Sequence, residues 1–177
     1  MEKALVFIKP EFIWNRREIW DYLDVALEAN LGRDFERTAG ELIRVPREIL
    51  AVHYVNIRDS YPIPYRSALD TMSGKLISVR LYLGPENLVR SLRWVVGNTD
   101  PVGAGIATIR RMFSDDSLER SRAEGRAVKN VMHASSDSLV GESEVIRFTP
   151  FLGEVLYIPF SVQKYVRSRI AGTCRQF

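Results

Sequence analysis

A chain of 177 residues and 20.3 kDa, 46% hydrophobic and 27% charged, has the size and composition of one folded domain. The single cysteine, Cys174, excludes an intramolecular disulfide and a cysteine-cluster metal site, and two histidines, His53 and His133, exclude a histidine-rich metal cage. A net charge of +3 with a pI near 9.1 suits an anionic small molecule and is too slight to imply nucleic acid.

The run Ala4-Leu5-Val6-Phe7-Ile8 has strand length and no alternation, which predicts a strand buried on both faces. Lys9-Pro10 stops it too early for a signal peptide, and no run approaches the ~18 apolar residues of a membrane helix, so an intracellular, cytoplasmic protein without a membrane span is expected. Ile19, Trp20, Leu23, Ala26 and Leu27 recur at helical spacing over 16–29, and Asn30-Leu31-Gly32 closes that helix. Leu42 to Val45 reads as the end of a second strand, and Pro46 opens a short helix reaching His53-Tyr54. The turn Ser60-Tyr61-Pro62-Ile63-Pro64 leads to a helix near Tyr65.

Lys75 to Leu83 alternates, Leu76, Ser78, Arg80 and Tyr82 against Ile77, Val79, Leu81 and Leu83, and predicts a third strand. Pro85 starts a helix carried by Leu88, Val89, Leu92, Val95 and Val96, which ends at Gly97-Asn98-Thr99-Asp100-Pro101. Residues 111–129 read as an excursion over the surface, Lys129 to His133 as a short strand, and Gly141 to Phe148 as a last helix. Strands connected by helices imply one helix-covered sheet of the α/β or α+β class.

The chemistry concentrates in Lys129-Asn130-Val131-Met132-His133-Ala134-Ser135-Ser136-Asp137-Ser138. Here the chain resembles the nucleoside diphosphate kinases, whose signature places an Asn, two residues, then a His followed by Gly/Ala-Ser-Asp-Ser. Lys9-Pro10, His53-Tyr54, Arg93, Gly97 to Pro101, Thr108-Ile109-Arg110 and Glu144 match further landmarks of that family in order. Singly, Thr99 reads as a turn residue, Ser138 as a helix N-cap and each cation as a solvated charge; the shared order is what carries the resemblance.

The resemblance implies a ferredoxin-like fold, a four-stranded antiparallel sheet with helices on one face and extra helices near the site. It divides the chain into a nucleoside diphosphate kinase-like domain, 1–150, and a C-terminal extension, 151–177, packed on that domain or on a neighbouring subunit of a homo-oligomer. It implies transfer of the γ-phosphate of ATP or another nucleoside triphosphate to a nucleoside diphosphate by a ping-pong route through phospho-His133. Glu144 would orient His133; Lys9, Tyr54, Arg93, Thr99 and Arg110 would contact the phosphates, and Asn130 with Lys9 the sugar hydroxyl. Mg2+ would be held mainly by the nucleotide phosphates rather than by protein ligands.

The pattern departs from the family in four places, one of them the stretch between Arg110 and Asn130, which is about ten residues longer than in the short members. One residue is added after His133, which leaves open whether Ser135 or Ser136 supports Glu144; Ala107 and Arg111 flank Thr108-Ile109-Arg110 where glycines are usual; and either Tyr61 or Tyr65 is available to stack on the base. The altered loops 106–111 and 134–138 keep open a second reading, a catalytically weak protein of the same fold that acts as a nucleotide-binding or scaffold partner.

Overall fold

The computed structural model describes residues 1–153 and 158–159. Its centre is β1, Glu2–Ile8, in which Ala4 to Ile8 are all fully buried, as a non-alternating apolar run requires. A 3-10 turn over Pro10–Asn15 leads into α1, Arg16–Leu31, which Gly32 terminates in the left-handed region at φ +66°. The short strands β2, Glu36–Arg37, and β3, Glu41–Arg44, precede α2, Arg47–His53, and α3, Pro62–Met72.

The long strand β4, Leu76–Gly84, follows, and then α4, Leu88–Val96. Pro85 lies in the turn before α4, closed by the Leu88 amide donating to the Pro85 carbonyl, so the helix starts three residues later than the sequence predicts. The surface excursion contains two short helices, α5, Ile109–Phe113, and α6, Leu118–Ala123. The chain continues through β5, Met132–Ala134, and α7, Ser138–Phe148, to the two-residue β6, Ile158–Pro159.

Every strand pairing is antiparallel, in the order β5-β1-β4-β2-β6 among the described residues, with β3 also pairing to β4. Because β2 meets β4 at Leu83 and Tyr82, and β3 meets it from Val79 to Leu76, the two fill one strand position in succession. The four-stranded antiparallel sheet implied by the family resemblance is therefore present, extended by β6. Helices lie on both faces rather than one. Ala4, Val6 and Ile8 pack against α1 and α4, while Leu5 and Phe7 pack into a second core with Leu50, Leu69, Met72, Val145 and Phe148 from α2, α3 and α7. Leu152 enters that second core; apart from its first three residues and the β6 pair, the extension lies outside the described residues.

The alternation of β4 ordinarily marks a strand with one wet face. Here the polar side is buried beneath α1: the Trp20 indole donates to Ser78 Oγ at 3.0 Å, and the Arg80 guanidinium lies 4.3 Å from the Trp20 ring centroid. Asp24 of α1 accepts from Arg80 at 3.0 Å and from Arg37 of β2 at 2.5 Å, with all three side chains nearly sealed from water. On the other face Gly141 lets α7 approach β1, since a Cβ there would meet the Lys3 carbonyl oxygen at 2.2 Å.

Two expectations follow from this packing. Asp24→Asn leaves two buried guanidinium groups against a neutral amide and is expected to lower unfolding free energy by about 3–5 kcal/mol in urea titration. Gly141→Ala must push α7 off a backbone atom that cannot rotate away, lowering stability by about 1–3 kcal/mol as read by thermal melting.

Candidate active site

His133 sits in the middle of β5, opposite Phe7 of β1, and its ring stacks on Phe7 with centroids 4.9 Å apart. Its Nε2 lies 3.0 and 3.2 Å from the two carboxylate oxygens of Glu144, which α7 presents from beneath the sheet. Ser135 donates its hydroxyl to Glu144 Oε2 at 2.6 Å and accepts from the Leu5 amide at 2.9 Å. The serine left open by the sequence is thus Ser135; Ser136 instead donates to Asp137, and Asp137, not Ser138, caps α7 by accepting from the Val140 amide at 2.8 Å. That cap starts the helix three residues before Gly141. Among the described residues His133 Nδ1 has no hydrogen-bond partner, so one ring nitrogen is held and the other is free.

The approach to His133 is strained. Val131 has φ +69°, and the Met132 amide donates to the Asn130 carbonyl at 2.8 Å, closing a three-residue turn. A β-branched residue in that region costs on the order of 1–3 kcal/mol and persists only where its surroundings hold it. They do: the Val131 carbonyl accepts from the Lys9 amide, and its side chain is fully buried. The turn shortens the strand predicted over 129–133 to Met132–Ala134.

Asn130 gathers the chain around this turn. Its Oδ1 accepts from Lys9 Nζ at 2.6 Å and its Nδ2 donates to the Thr99 carbonyl at 3.2 Å, so the pair the family resemblance assigns to the sugar is already joined. Arg110 donates to the carbonyls of Asn130, Gly97 and Met132 at 3.2, 3.0 and 2.9 Å. Three of its five N–H donors therefore tie α5, the turn after α4 and β5 together, and two remain. Gly97 is needed there at φ +91°, where a Cβ would fall 2.5 Å from Thr108 Oγ1.

These cations are crowded. Burial, with Arg93 adding to it, lowers the Arg110 guanidinium to about 10, and burial with Arg110 beside it lowers the Lys9 amine to about 8. Arg93 itself, exposed on α4, makes no hydrogen bond to a described residue. Tyr54 lies at the edge of the same space, its ring 6.4 Å from that of His133 and its phenol pushed up by burial and by Glu144. All the predicted site residues, Lys9, Tyr54, Arg93, Thr99, Arg110, Asn130, His133 and Glu144, fall in this one neighbourhood. Tyr61 is exposed at the start of α3, whereas Tyr65 is partly packed into the second core.

Sequence reasoning missed two features. His53, read as a packing neighbour of Tyr54, crosses the His133 ring edge-on at 4.4 Å, with its Nδ1 3.5 Å from Glu144 Oε1. Burial and His133 hold it well below the usual imidazole range, and neither ring nitrogen has a hydrogen-bond partner. In the excursion, Asp116 takes a bidentate grip from Arg126 at 2.6 and 2.8 Å and accepts from the Lys129 amide at 2.8 Å, anchoring the loop where it returns to Asn130. An acid and a base ten residues apart within a charged loop gave no signal of that pairing.

Comparison with known proteins gives the chain's family and fold. The family model described as nucleoside diphosphate kinase matches residues 2–150. The mitochondrial nucleoside diphosphate kinase of Columba livia is 31% identical over 144 residues, 81% of this chain and 70% of that protein. The nucleoside diphosphate kinase of Symbiobacterium thermophilum is 27% identical, over 82% of this chain and 85% of its own. In fold, the nucleoside-diphosphate kinase of Borrelia burgdorferi solved with vanadate and ADP superposes with a TM-score of 0.71 at 24% identity, covering 88% of this chain and 90% of that one. The Encephalitozoon cuniculi enzyme superposes at 0.67 and 23% identity, over 94% and 99%. With the family matched across nearly all of the described residues, the chain belongs to the nucleoside diphosphate kinase family.

Proposed function

We propose that this chain is an active nucleoside diphosphate kinase that passes phosphate between nucleotides through His133. The observation that carries the reading is the single-sided grip on the His133 ring: Nε2 against Glu144, which Ser135 holds in turn, and Nδ1 without a partner. In the neutral ring the proton then sits on Nε2, directed at the carboxylate, and the lone pair sits on Nδ1. That lone pair attacks the γ-phosphorus, the bond to the β-phosphate oxygen breaks, and its electron pair leaves with the diphosphate. The ring gains positive charge, which Glu144 stabilises. An acceptor diphosphate then attacks the same phosphorus, and the P–N electron pair returns to Nδ1.

A transferring phosphoryl group spreads negative charge over its oxygens, and the chain meets it with positive charge in place beforehand. Arg93, the remaining donors of Arg110, and Lys9 supply that charge, with Tyr54 and Thr99 at the margin; Asn130 and Lys9 face the sugar. Tyr61, the more exposed of the two candidate tyrosines, is the better placed to stack on the base.

Among the described residues, the carboxylates packed closest to His133 and its loop already have protein partners, which supports a magnesium ion held by the nucleotide. Glu144 is taken up by His133 and Ser135, Asp116 by Arg126 and the Lys129 amide, and Asp137 by its cap. Mg2+ therefore fits as an ion carried in on the nucleotide phosphates, whose charge it would neutralise. Assembly into a homo-oligomer and a cytoplasmic location belong to the same reading. No helix among the described residues is long and apolar enough to cross a membrane.

Incubation of the purified chain with Mg2+ and γ-labelled ATP, without acceptor, is expected to leave acid-labile, base-stable label on the protein. His133→Gln is expected to take up none while still binding nucleotide. No label on the unaltered chain would leave the nucleotide-binding or scaffold role in its place. The kcat/KM for a nucleoside triphosphate is expected to fall as pH rises through about 8, where Lys9 loses its proton. Lys9→Met should start lower and lack that limb of the profile.

A further inference from the structure

The family chemistry uses one face of His133 and leaves His53 without a task. A buried imidazole whose two nitrogens are both unpartnered is uncommon and asks for a ligand, a water or an ion. Glu144 Oε1 lies 3.0 Å from His133 Nε2 and 3.5 Å from His53 Nδ1, and the three residues can each bring one ligand atom within 4.8 Å of the other two. An ion about 2.0–2.2 Å from each donor would span donors roughly 3.4 Å apart in tetrahedral geometry. The His53–Glu144 separation is already close to that value, and an arriving ion would draw the three ligand atoms together from a spread of up to 4.8 Å.

We propose that His53, His133 and Glu144 form a binding site for a borderline transition-metal cation of the Zn2+ type, and that its occupation switches His133 off. Two imidazole nitrogens and one carboxylate oxygen suit Zn2+ or Co2+, whereas Mg2+ prefers oxygen ligands and octahedral geometry. The His53 and Glu144 side chains are almost fully buried and His133 is partly open, so the ion arrives from the His133 side and water completes its shell. The inhibitory consequence rests on the reading that Nδ1 attacks; the binding does not. A metal on Nε2 displaces the proton held there and takes the electron pair of the N–H bond, and the proton moves through solvent to Nδ1. The nitrogen that should attack then bears a hydrogen, and the Glu144 contact that stabilises the charged ring is lost to the metal.

The test uses the full chain, dialysed against buffered free Zn2+ with Mg2+ in large excess. One Zn2+ per chain is expected, bound at least about tenfold more weakly by His53→Gln and equally well by Cys174→Ser. Unchanged binding by His53→Gln, or loss in Cys174→Ser, would overturn the site and give the ion to other ligands. Because His53→Gln could disturb the fold, the unaltered chain is also read by nitrogen-15 NMR of its two histidines. Zn2+ should shift Nε2 of His133 and Nδ1 of His53; a shift elsewhere, or none, removes the site. Labelling from Mg-ATP should fall in step with Zn2+ occupancy and return with a chelator. Label that persists on the Zn2+-loaded chain would sink the switch, while a metal-free chain that never labels would instead sink the kinase reading.

Discussion

Glu144 is the joint on which the rest of the site depends. It sits on α7, a helix pressed against one face of the sheet, yet its carboxylate must reach through to a ring on β5. Ser135 makes that reach possible, because its hydroxyl donates to the carboxylate and accepts from the Leu5 amide. One serine thereby ties the end of β5, the central strand β1 and the helix α7 at a single point. A carboxylate sealed from water is costly without such partners, and each partner has a second structural duty. The His133 ring can therefore be fixed only if α7 docks fully, which Gly141 permits by letting the helix meet the Lys3 carbonyl closely.

The cations show the reverse logic. Arg110 uses most of its donors on carbonyls of the chain, and its remaining charge presses on Lys9 and stands beside Arg93. Burial, and then the neighbouring like charge, lowers both Lys9 and Arg110, and Glu11 and Asp116 offset that only in part at Lys9. An arriving polyanion relieves it. The strained turn at Val131 belongs to the same economy of position: it bends the backbone so that Asn130 faces Lys9 and Thr99 while His133, three residues on, faces Glu144.

Much of this was legible in residue order. The unbroken apolar run of β1, the helical spacing of α1 and its closing glycine, and the ordered set from Lys9 to Glu144 each carry a local or positional signal. What stayed hidden depends on partners distant in sequence. Ser78 and Arg80 on an alternating strand give no sign that Asp24 and Trp20 will cover them. Ser135 and Ser136 are chemically alike, and only the position of the Leu5 amide decides between them. His53 reads as a packed ring because the sequence cannot show that its free nitrogen points at a carboxylate ninety-one residues away.

The fold persists at about a quarter sequence identity, so it tolerates extensive change in sequence. The added residue after His133 illustrates why that is tolerated. Ser136 falls between the last strand position and the helix cap, where its side chain bonds only Asp137 and the chain can bulge. Ser135 stays in register with Leu5, and Asp137 still caps α7, so the distance from His133 to Glu144 is set by the packing of strand and helix rather than by the length of the loop between them. Nearby, the Tyr22 hydroxyl of α1 donates to the Ala107 carbonyl and ties that loop to the helix. The His133 ring on β5 and the Glu144 carboxylate on α7 stand on regular elements, which hold their position better than loops do, whereas Lys9, Thr99 and Asn130 sit in turns held by the hydrogen bonds that join them.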